Sequence, residues 1–394
     1  MNRPIRVLYS FPHKLGADRI CTTAWHQVDG VAAAGAEVLV HTGAVTRSVR
    51  SGVQVRTTLA RGRLRLPYRL LGSARSCLLH DWLVARQLKR LAGSIDIVHA
   101  WPAGALRTLK VARELGLPTV LERPNAHTEY AYDVVEKECQ KLGVSMPPGH
   151  EHAYNAKGLA HEKLEYQAAF RLLCPSDFVA RTFTMKGFPQ RQLLRHQYGF
   201  DDQVFRPDPA RSADPDKFVM IFVGGCAPRK GLHYALEAWL RSPAHKRGQF
   251  LIVGGFIPGY RERLGEMLAH PSIKVLGHRR DIPELMRQAD ALVLPSIEEG
   301  SALVTSEARG CGCVLLVSDA AGAICQHGEN GLIHPAGDVD ALTQHLSLLA
   351  GDRAVLERLR TTSLQSVSDI TWRAAGKRLL AAYQEAITDW RARS

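Results

Sequence analysis

The sequence predicts an α/β protein made of two domains, each with a parallel sheet covered by helices. Three features lead to this prediction: the length of 394 residues, the alternation of short apolar runs with amphipathic stretches, and a proline-rich polar stretch near the middle. The length is enough for two or three ordinary cores. Apolar residues form 45% and charged residues 23% of the chain, which excludes collagen-like, coiled-coil and wholly disordered proteins.

In the first half, short runs rich in β-branched residues predict strands, and the amphipathic stretches between them predict helices. Several of these strands are apolar on both faces, which is typical of a buried parallel sheet with right-handed crossovers. The predicted strands cover residues 5–10, 37–41, 95–101, 119–121 and 172–175, and the predicted helices cover 22–34, 105–115 and 129–142.

A stretch rich in proline and polar residues, 205–216, predicts a linker, and the alternation starts again after it. The second series of strands covers 218–223, 250–253, 273–276, 291–295, 314–318 and 331–334, with helices at 231–240, 283–288, 301–310, 339–349, 355–368 and 372–390. We expect ligands beyond the carboxyl ends of these strands, in a cleft between the two sheets.

Basic residues are concentrated in residues 47–90, which contain eleven Lys or Arg and one acid, Asp81, in a chain of net charge +13. Such a local field predicts an anionic partner. Arginines alternate with apolar residues in 64–71, which favours an anionic membrane surface. The segment has no zinc-finger or aromatic-interleaved pattern, so we expect no nucleic acid. The alternative is an ordinary solvated face.

The eight cysteines are scattered, and we expect reduced thiols in a cytoplasmic protein that docks peripherally at the inner membrane face. Cys311 and Cys313 are expected in the core. No apolar run is long enough to span a bilayer, and the N-terminal residues lack the apolar stretch of a cleavable signal.

We expect neither a metal site nor a cofactor. The histidine-rich stretches 150–152 and 161–162 lack the H-E-x-x-H spacing of zinc sites. The two Asp-x-Asp triplets, 214–216 and 338–340, lie in the linker and at a helix start rather than after a strand.

Two glutamates surround the start of a predicted helix that follows a strand: Glu299 precedes this helix, and Glu307 lies two turns along it. Gly300, Ser301 and Ala302 would supply free backbone N–H groups at the helix N-terminus, where anions commonly bind. Taken alone, the pair is better explained by a helix-dipole partner and a solvated helix face.

A glycine turn, Gly224–Gly225, follows another predicted strand and leads to the basic pair Arg229 and Lys230 at a helix start. The lysine could place its ammonium on a diphosphate, although an exposed surface lysine is the simpler interpretation of it alone. Neither a P-loop nor a complete G-x-G-x-x-G motif occurs. His127, after the strand at 119–121, is a further candidate polar group, but lone histidines are more often structural.

Together and in this order, the motifs resemble those of retaining nucleotide-sugar glycosyltransferases of family four, which have the GT-B fold. Glu299 and Glu307 correspond to the E-x7-E motif, between Leu-Pro-Ser at 294–296 and Gly-Cys-Gly at 310–312. Residues 229–231 stand where the family has its diphosphate lysine. The resemblance covers most of the chain and is strongest over 172–372.

The resemblance implies two Rossmann-like parallel-sheet domains that face a central cleft. Residues 1–200 would form the acceptor-binding domain and 201–371 the nucleotide-sugar-binding domain. The C-terminal helix, 372–394, would return to the N-terminal domain.

The resemblance also implies residue roles. Glu299 would hold the donor sugar hydroxyls and Glu307 the ribose. Lys230, helped by Arg229, would stabilise the leaving nucleoside diphosphate, and His127 would lie near the transferred sugar. The other implied donor-binding residues are Gly16, Gly224, Gly225, His278, Gly300, Ser301, Ala302 and Leu303, of which His278 would contact the base through its backbone.

The implied reaction is transfer of a hexosyl unit from a UDP- or GDP-linked sugar to a glycan, lipid or small-molecule acceptor, with retention of configuration and without a metal. Three positions depart from the family pattern: Gly225 replaces a frequent arginine, Leu15–Gly16 a glycine pair, and Ser301–Ala302 a Phe-Gly pair. A nucleotide-sugar epimerase of similar fold and a non-catalytic binding protein are the alternatives. The joint presence of Lys230, Glu299 and Glu307 favours an enzyme, since a scaffold needs none of them.

Overall fold

The computed structural model describes residues 3–61, 64–65, 72–150, 152–210 and 217–393. The chain forms two compact units: unit 1 comprises Met1–Pro124, Asn155–Tyr198 and Trp372–Ser394, and unit 2 comprises Asn125–Tyr154 and Gly199–Thr371. Each unit contains a parallel sheet with helices, which confirms the predicted α/β class. Half of the predicted linker, residues 211–216 with the Asp-x-Asp triplet at 214–216, lies outside the described residues.

The described strands follow the predicted alternation along the chain. They are β1 (Arg6–Leu15), β2 (Glu37–Val45), β3 (Gln54–Thr57), β4 (Ala60–Arg61), β5 (Leu64–Arg65), β6 (Ile97–Ala100), β7 (Thr119–Glu122), β8 (Arg171–Cys174), β9 (Leu193–Arg195), β10 (Val219–Val223), β11 (Gln249–Val253), β12 (Ile273–Gly277), β13 (Ala291–Leu294), β14 (Val314–Ser318) and β15 (Gly331–His334).

The described helices lie between these strands and at the end of the chain. They are α1 (Ile20–Ala33), α2 (Ser73–Leu91), α3 (Leu106–Glu114), α4 (Thr128–Leu142), α5 (Ala156–Ala168), α6 (Asp177–Met185), α7 (Leu232–Arg241), α8 (Tyr260–Arg263), α9 (Gly265–Leu268), α10 (Ile282–Gln288), α11 (Leu303–Gly310), α12 (Val339–Gly351), α13 (Arg353–Gln365) and α14 (Trp372–Arg391). Among the described helices, none combines the length and the apolar character that crossing a bilayer requires.

Both large sheets have an open, parallel strand order. In unit 1 the order is β3-β2-β1-β6-β7-β8-β9, and in unit 2 it is β12-β11-β10-β13-β14-β15. The chain order of the strands reverses between β1 and β6, and again between β10 and β13. Ligands of open parallel sheets bind beyond the carboxyl ends of the strands at such reversals. The segments that follow β10 and β13 therefore mark the expected ligand position in unit 2.

The core of unit 2 forms because its strands are apolar on both faces. All residues of β13 and β14 are buried, and they pack against the apolar faces of α7 and α12. Cys311 and Cys313 are buried in this core, as predicted.

Residues 125–154 lie in unit 2 rather than in the N-terminal domain, where the expected boundary of 1–200 had placed them. The reason is a set of side-chain hydrogen bonds from α4 to α7. The Glu138 carboxylate accepts a hydrogen bond from the Tyr234 hydroxyl at 2.7 Å and lies 2.8 Å from His233 Nε2. Lys141 donates to the same tyrosine oxygen at 2.9 Å. These contacts attach α4 to unit 2, although the preceding strand β7 and the following helix α5 both belong to unit 1.

The C-terminal helix α14 belongs to unit 1, as the resemblance implied, because it packs closely on α1. The crossing point is a pair of glycines: a Cβ built on Gly376 would lie 2.6 Å from the Gly30 Cα. One turn earlier, the Trp372 ring stacks on the His26 ring at 4.5 Å. The two helix backbones can therefore meet only when no side chain separates them.

We expect Gly376→Ala to destabilise unit 1, since its methyl group would overlap the Gly30 backbone. Overpacking of this kind costs about 1–3 kcal/mol, which corresponds to a fall in melting temperature of several degrees. Differential scanning calorimetry measures the change. Gly351→Ala is the matched control, because Gly351 is also helical and its added Cβ meets no atom within 4 Å. Equal melting temperatures for the two variants would contradict the packing argument.

Candidate functional site

Two basic and two acidic side chains meet in unit 2, beyond the carboxyl ends of β10 and β13. Arg229 and Lys230 lie in the turn that follows β10, and Glu298 and Glu299 lie in the loop that follows β13. Arg229 Nη1 donates to the Glu298 carbonyl at 2.9 Å and lies 3.2 Å from Glu299 Oε2. Lys230 Nζ forms an ion pair with the same Glu299 oxygen. All four side chains are largely buried.

Backbone contacts hold the two segments together. The Ile297 N–H donates to the Arg229 carbonyl at 2.9 Å, which joins the β13 loop to the β10 turn. Gly231 ends the turn with φ 67°, and a Cβ at this position would overlap the Pro295 carbonyl. Only glycine combines this backbone conformation with such a close approach. The position of Lys230 is thus fixed by the residue that follows it.

Burial and ion pairing shift the pKa values of the side chains in this group in different directions. Burial alone would raise the pKa of Glu299, but Arg229 and Lys230 outweigh it and lower that pKa to about 2. Burial raises the pKa of Glu298, and Arg229 offsets only part of this effect. Burial also lowers the pKa of Lys230. Arg229 and Lys230 therefore both face the ionised carboxylate of Glu299, and two cations at one place suit an anionic ligand.

The helix α11 begins at Leu303, two residues after its predicted start. The expectation of free N–H groups at Gly300, Ser301 and Ala302 is wrong for Ala302, because its N–H donates to the Ala321 carbonyl at 3.4 Å. This bond holds the last residue before α11 against the loop that follows β14.

Glu307 lies on α11 and is half-buried, so it is not on a solvated helix face. Its carboxylate forms neither an ion pair nor a hydrogen bond with the described part of the chain. Burial raises the pKa of Glu307 to about 7. A carboxyl group with this pKa titrates near neutral pH and accepts hydrogen bonds more strongly when it is ionised.

Residues 125–154 bring three histidines into unit 2, His127, His150 and His152. His127 is buried and directly precedes α4, where its carbonyl accepts a hydrogen bond from the Ala131 N–H at 2.9 Å. The backbone of its neighbour Ala126 forms a hydrogen bond with Glu298 that offsets a small part of the rise in the Glu298 pKa, so this segment lies beside the charged group.

His152 is the site residue that sequence reasoning missed. Burial, helped by the charges of Arg229 and Lys230, lowers the pKa of His152 to about 3. This imidazole is therefore neutral next to the charged group. The sequence had suggested stretch 150–152 only as a metal candidate, whereas the described residues contain no group of three His, Cys, Asp or Glu that could hold a metal ion. No local pattern marks His152, since its place depends on how α4 docks.

The other predicted site residues are spread over both units. Gly224 and Gly225 lie beside Lys230: a Cβ on Gly224 would be 3.9 Å from Lys230 Cε, and a Cβ on Gly225 would meet no atom within 4 Å. Leu303 is the first residue of α11. Gly16 lies in unit 1, just after β1, so the structure does not place it in the same unit as the rest of the set.

His278 is exposed directly after β12. The preceding Gly277 lines a pocket of about 340 Å³ together with Val275, Arg261 and residues 254–258. The pocket lies at the carboxyl ends of β11 and β12, next to the β10 turn in the strand order. Its lining includes three glycines, Gly254, Gly255 and Gly277, and such a lining suits a flat polar group that binds through peptide N–H and C=O groups.

Comparisons with known proteins show what this chain is similar to. Residues 217–352 match the family model described as "Glycosyl transferases group 1". D-inositol 3-phosphate glycosyltransferase 1 of Catenulispora acidiphila is 28% identical over 336 residues, which cover 77% of this chain and 75% of that protein.

Two solved structures have the same fold over nearly the whole chain. HepE of Anabaena, crystallised with UDP and also with UDP-glucose, aligns with a TM-score of 0.65 and 17% identity in its UDP complex, over 97% of this chain and 100% of that chain. Sucrose-phosphate synthase of Thermosynechococcus elongatus aligns with a TM-score of 0.67 and 18% identity, over 98% of this chain and 100% of that chain.

The fold and the matched family agree with each other. Two parallel-sheet units, a last helix that returns to unit 1, and likeness to these solved structures establish the GT-B fold. The family model falls on unit 2, which carries the charged group. The matched family model and the similar proteins support a glycosyltransferase of group 1.

Proposed function

We propose that this protein transfers a hexosyl unit from a UDP- or GDP-linked sugar to an acceptor, and that unit 2 binds the donor. The observation that carries the proposal is the group formed by Arg229, Lys230 and Glu299 at the strand-order reversal of unit 2. Two largely buried cations at this place suit a nucleoside diphosphate. The HepE complexes with UDP and UDP-glucose support a donor of this class.

Lys230 and Arg229 stabilise the leaving diphosphate in this proposal. Cleavage of the bond between sugar and phosphate develops negative charge on the diphosphate. Fixed cations in a partly desolvated site stabilise that charge without reorganisation, and one such donor is worth about 3 kcal/mol. Because the protein supplies two cations, we propose that the reaction needs no metal ion and no cofactor besides the donor.

The acidic residues hold the two sugar rings of the donor. Glu299 is ionised and next to Lys230, so its second oxygen can accept hydrogen bonds from hexose hydroxyls beside the diphosphate. Glu307 lies two turns further along α11 and binds the ribose. His127 lies near the transferred hexose, and the pocket at Gly277 receives the base.

Retention of configuration follows from the resemblance to retaining enzymes, and we propose a front-face substitution. We assign no nucleophile within the charged group, because Glu299 is bound to both cations and Glu298 is paired with the Arg229 guanidinium. The acceptor is a glycan, a lipid or a small molecule.

The first test is thermal stabilisation by UDP, GDP, ADP and TDP. One of these nucleotides should raise the melting temperature, since a ligand that binds only the folded state stabilises it by mass action. Lys230→Ala should raise the dissociation constant of that nucleotide by roughly tenfold or more, because a charge-assisted contact is worth about 1.5–3 kcal/mol. Lys246→Ala, an exposed lysine of the same unit, is the control.

Three results separate the alternatives. The stabilising nucleotide names the sugar donors to be assayed, and transfer that depends on an added acceptor supports the transferase. Isomerised sugar formed without an acceptor would instead identify an epimerase. No stabilisation by any nucleotide would favour the non-catalytic binding protein.

Glu307 should make nucleotide affinity depend on pH. Its pKa of about 7 means that the carboxyl group is ionised above and protonated below neutral pH. We expect the affinity of wild-type protein to increase by about three- to tenfold from pH 6 to pH 8, since an ionised acceptor binds ribose hydroxyls more strongly. Titration calorimetry of Glu307→Gln with the same nucleotide is the comparison, so that titration of the nucleotide itself cancels. Parallel pH profiles for the two proteins would rule out this role.

We also propose that the outer face of α2 contacts an anionic membrane surface. Leu78 and Trp82 lie one turn apart on this helix and are 46% and 43% exposed. Arg75 and Arg86 flank them on the same face, with the Arg86 guanidinium 5.7 Å from the Trp82 ring centroid. Apolar side chains between cations suit the boundary between headgroups and acyl chains. Of the stretch 64–71 that first suggested such docking, all but 64–65 lies outside the described residues.

Vesicle sedimentation tests this surface. Wild-type protein should bind phosphatidylglycerol vesicles, release them as salt is raised, and bind neutral phosphatidylcholine vesicles weakly. Trp82→Ala should weaken binding at least threefold, since it removes most of the exposed apolar area. Leu164→Ala, another exposed apolar residue of unit 1, should not. Equal binding to neutral and anionic vesicles would refute the proposal.

A further inference from the structure

A pocket of about 270 Å³ opens in unit 1, far from the strand ends considered so far. Thr119, which begins β7, and Phe170, which directly precedes β8, both line it. The pocket therefore lies at the amino ends of these parallel strands. Gly16 follows the carboxyl end of β1, so this pocket is at the opposite edge of the same sheet. It does not belong to the donor site.

All charged side chains that line the pocket are basic. Arg113, Arg191 and Arg393 line it, and no acidic residue does. None of these three guanidinium groups has an ion pair with the described residues. The nearby Asp389 is already paired with the largely buried Arg171. Three like charges around a small space repel each other, and a bound anion would relieve this repulsion.

The aromatic wall of the pocket is fixed in place. The Phe170 and Trp390 rings meet edge to face at 4.9 Å, and Trp390 Nε1 donates to the Gly116 carbonyl at 3.0 Å. The Arg393 guanidinium lies 5.0 Å from the Phe170 ring centroid. Gln192 is held by hydrogen bonds to two backbone carbonyls. Hydrogen bonds and ring contacts thus hold the polar and aromatic residues around the three arginines in position.

We propose that this arginine pocket binds a small ligand with a phosphate or carboxylate group. Arginine presents a planar fork of N–H donors that matches both groups. The volume is just below the range of about 300–1,000 Å³ that is usual for drug-sized ligands, so a small phosphate ester fits and a whole nucleotide sugar does not. The ligand would connect α3 and the segment before β9 to the end of α14. The proposal is independent of the donor-site assignment.

The test measures the melting temperature with glycerol 3-phosphate at constant ionic strength. A shift of about 2–4 °C is expected at ten times the dissociation constant. The double variant Arg113→Gln/Arg191→Gln should lose the shift. Arg107→Gln, an exposed arginine on the same helix α3, should keep it. Lys230→Ala should also keep it, because it alters only the donor site.

Each result has one meaning. No shift, or equal shifts in the double variant and in Arg107→Gln, would overturn the proposal, as would a shift that only Lys230→Ala abolishes. Phosphatidylglycerol vesicles distinguish the source of the phosphate. Vesicle binding that glycerol 3-phosphate displaces, and that the double variant reduces in the Trp82→Ala background as well as in the wild type, identifies a lipid headgroup. A shift without such vesicle binding identifies a free phosphate ester.

Discussion

The pairing of two buried cations with one ionised carboxylate holds the centre of unit 2 together. Burial of a charge costs several kcal/mol unless a partner compensates it, so Arg229, Lys230 and Glu299 have to stay together when no other ion is bound. The left-handed Gly231 and the bond from Ile297 to the Arg229 carbonyl supply the required approach of two loops. A diphosphate could replace Glu299 as the partner of the cations, which would free that carboxylate for sugar hydroxyls. One interaction thus serves both stability and the proposed chemistry.

The segment 125–154 depends on a second polar contact. Glu138 ties α4 to His233 and Tyr234 on α7, the helix that begins directly after Gly231. Because α4 is bound there, His127 and His152 belong to the same unit as Lys230. In the proposed reaction, the histidine near the transferred hexose would therefore be carried by the unit that binds the donor. Residues that precede the linker in the sequence therefore do not all belong to unit 1, since Asn125–Tyr154 belong to unit 2.

The sequence was sufficient to predict those strands, helices and motif positions that local residue patterns determine. Apolar periodicity predicted β14 at its observed bounds and placed α7 within one residue, and the motif frame located Lys230 and Glu299 at facing loops. It ended β1 at residue 10, because Pro12 interrupts the apolar run, whereas parallel pairing with β2 continues to Leu15. It could not place α4 in unit 2, since Glu138 and Tyr234 are separated by 96 residues. The Ala302–Ala321 bond likewise joins residues that no local pattern relates.

The geometry of the β10 turn bears on one departure from the family pattern, the glycine at position 225. Nothing surrounds the Cβ position of Gly225, so the missing arginine at this place has no steric cause. Arg229 instead approaches both glutamates of the loop, at 3.3 Å from Glu298 and 3.2 Å from Glu299. The second cation of the proposed diphosphate site therefore comes from the end of the turn rather than from its start. Burial raises the pKa of Glu298, and the guanidinium that Glu298 shares with Glu299 offsets only part of this effect.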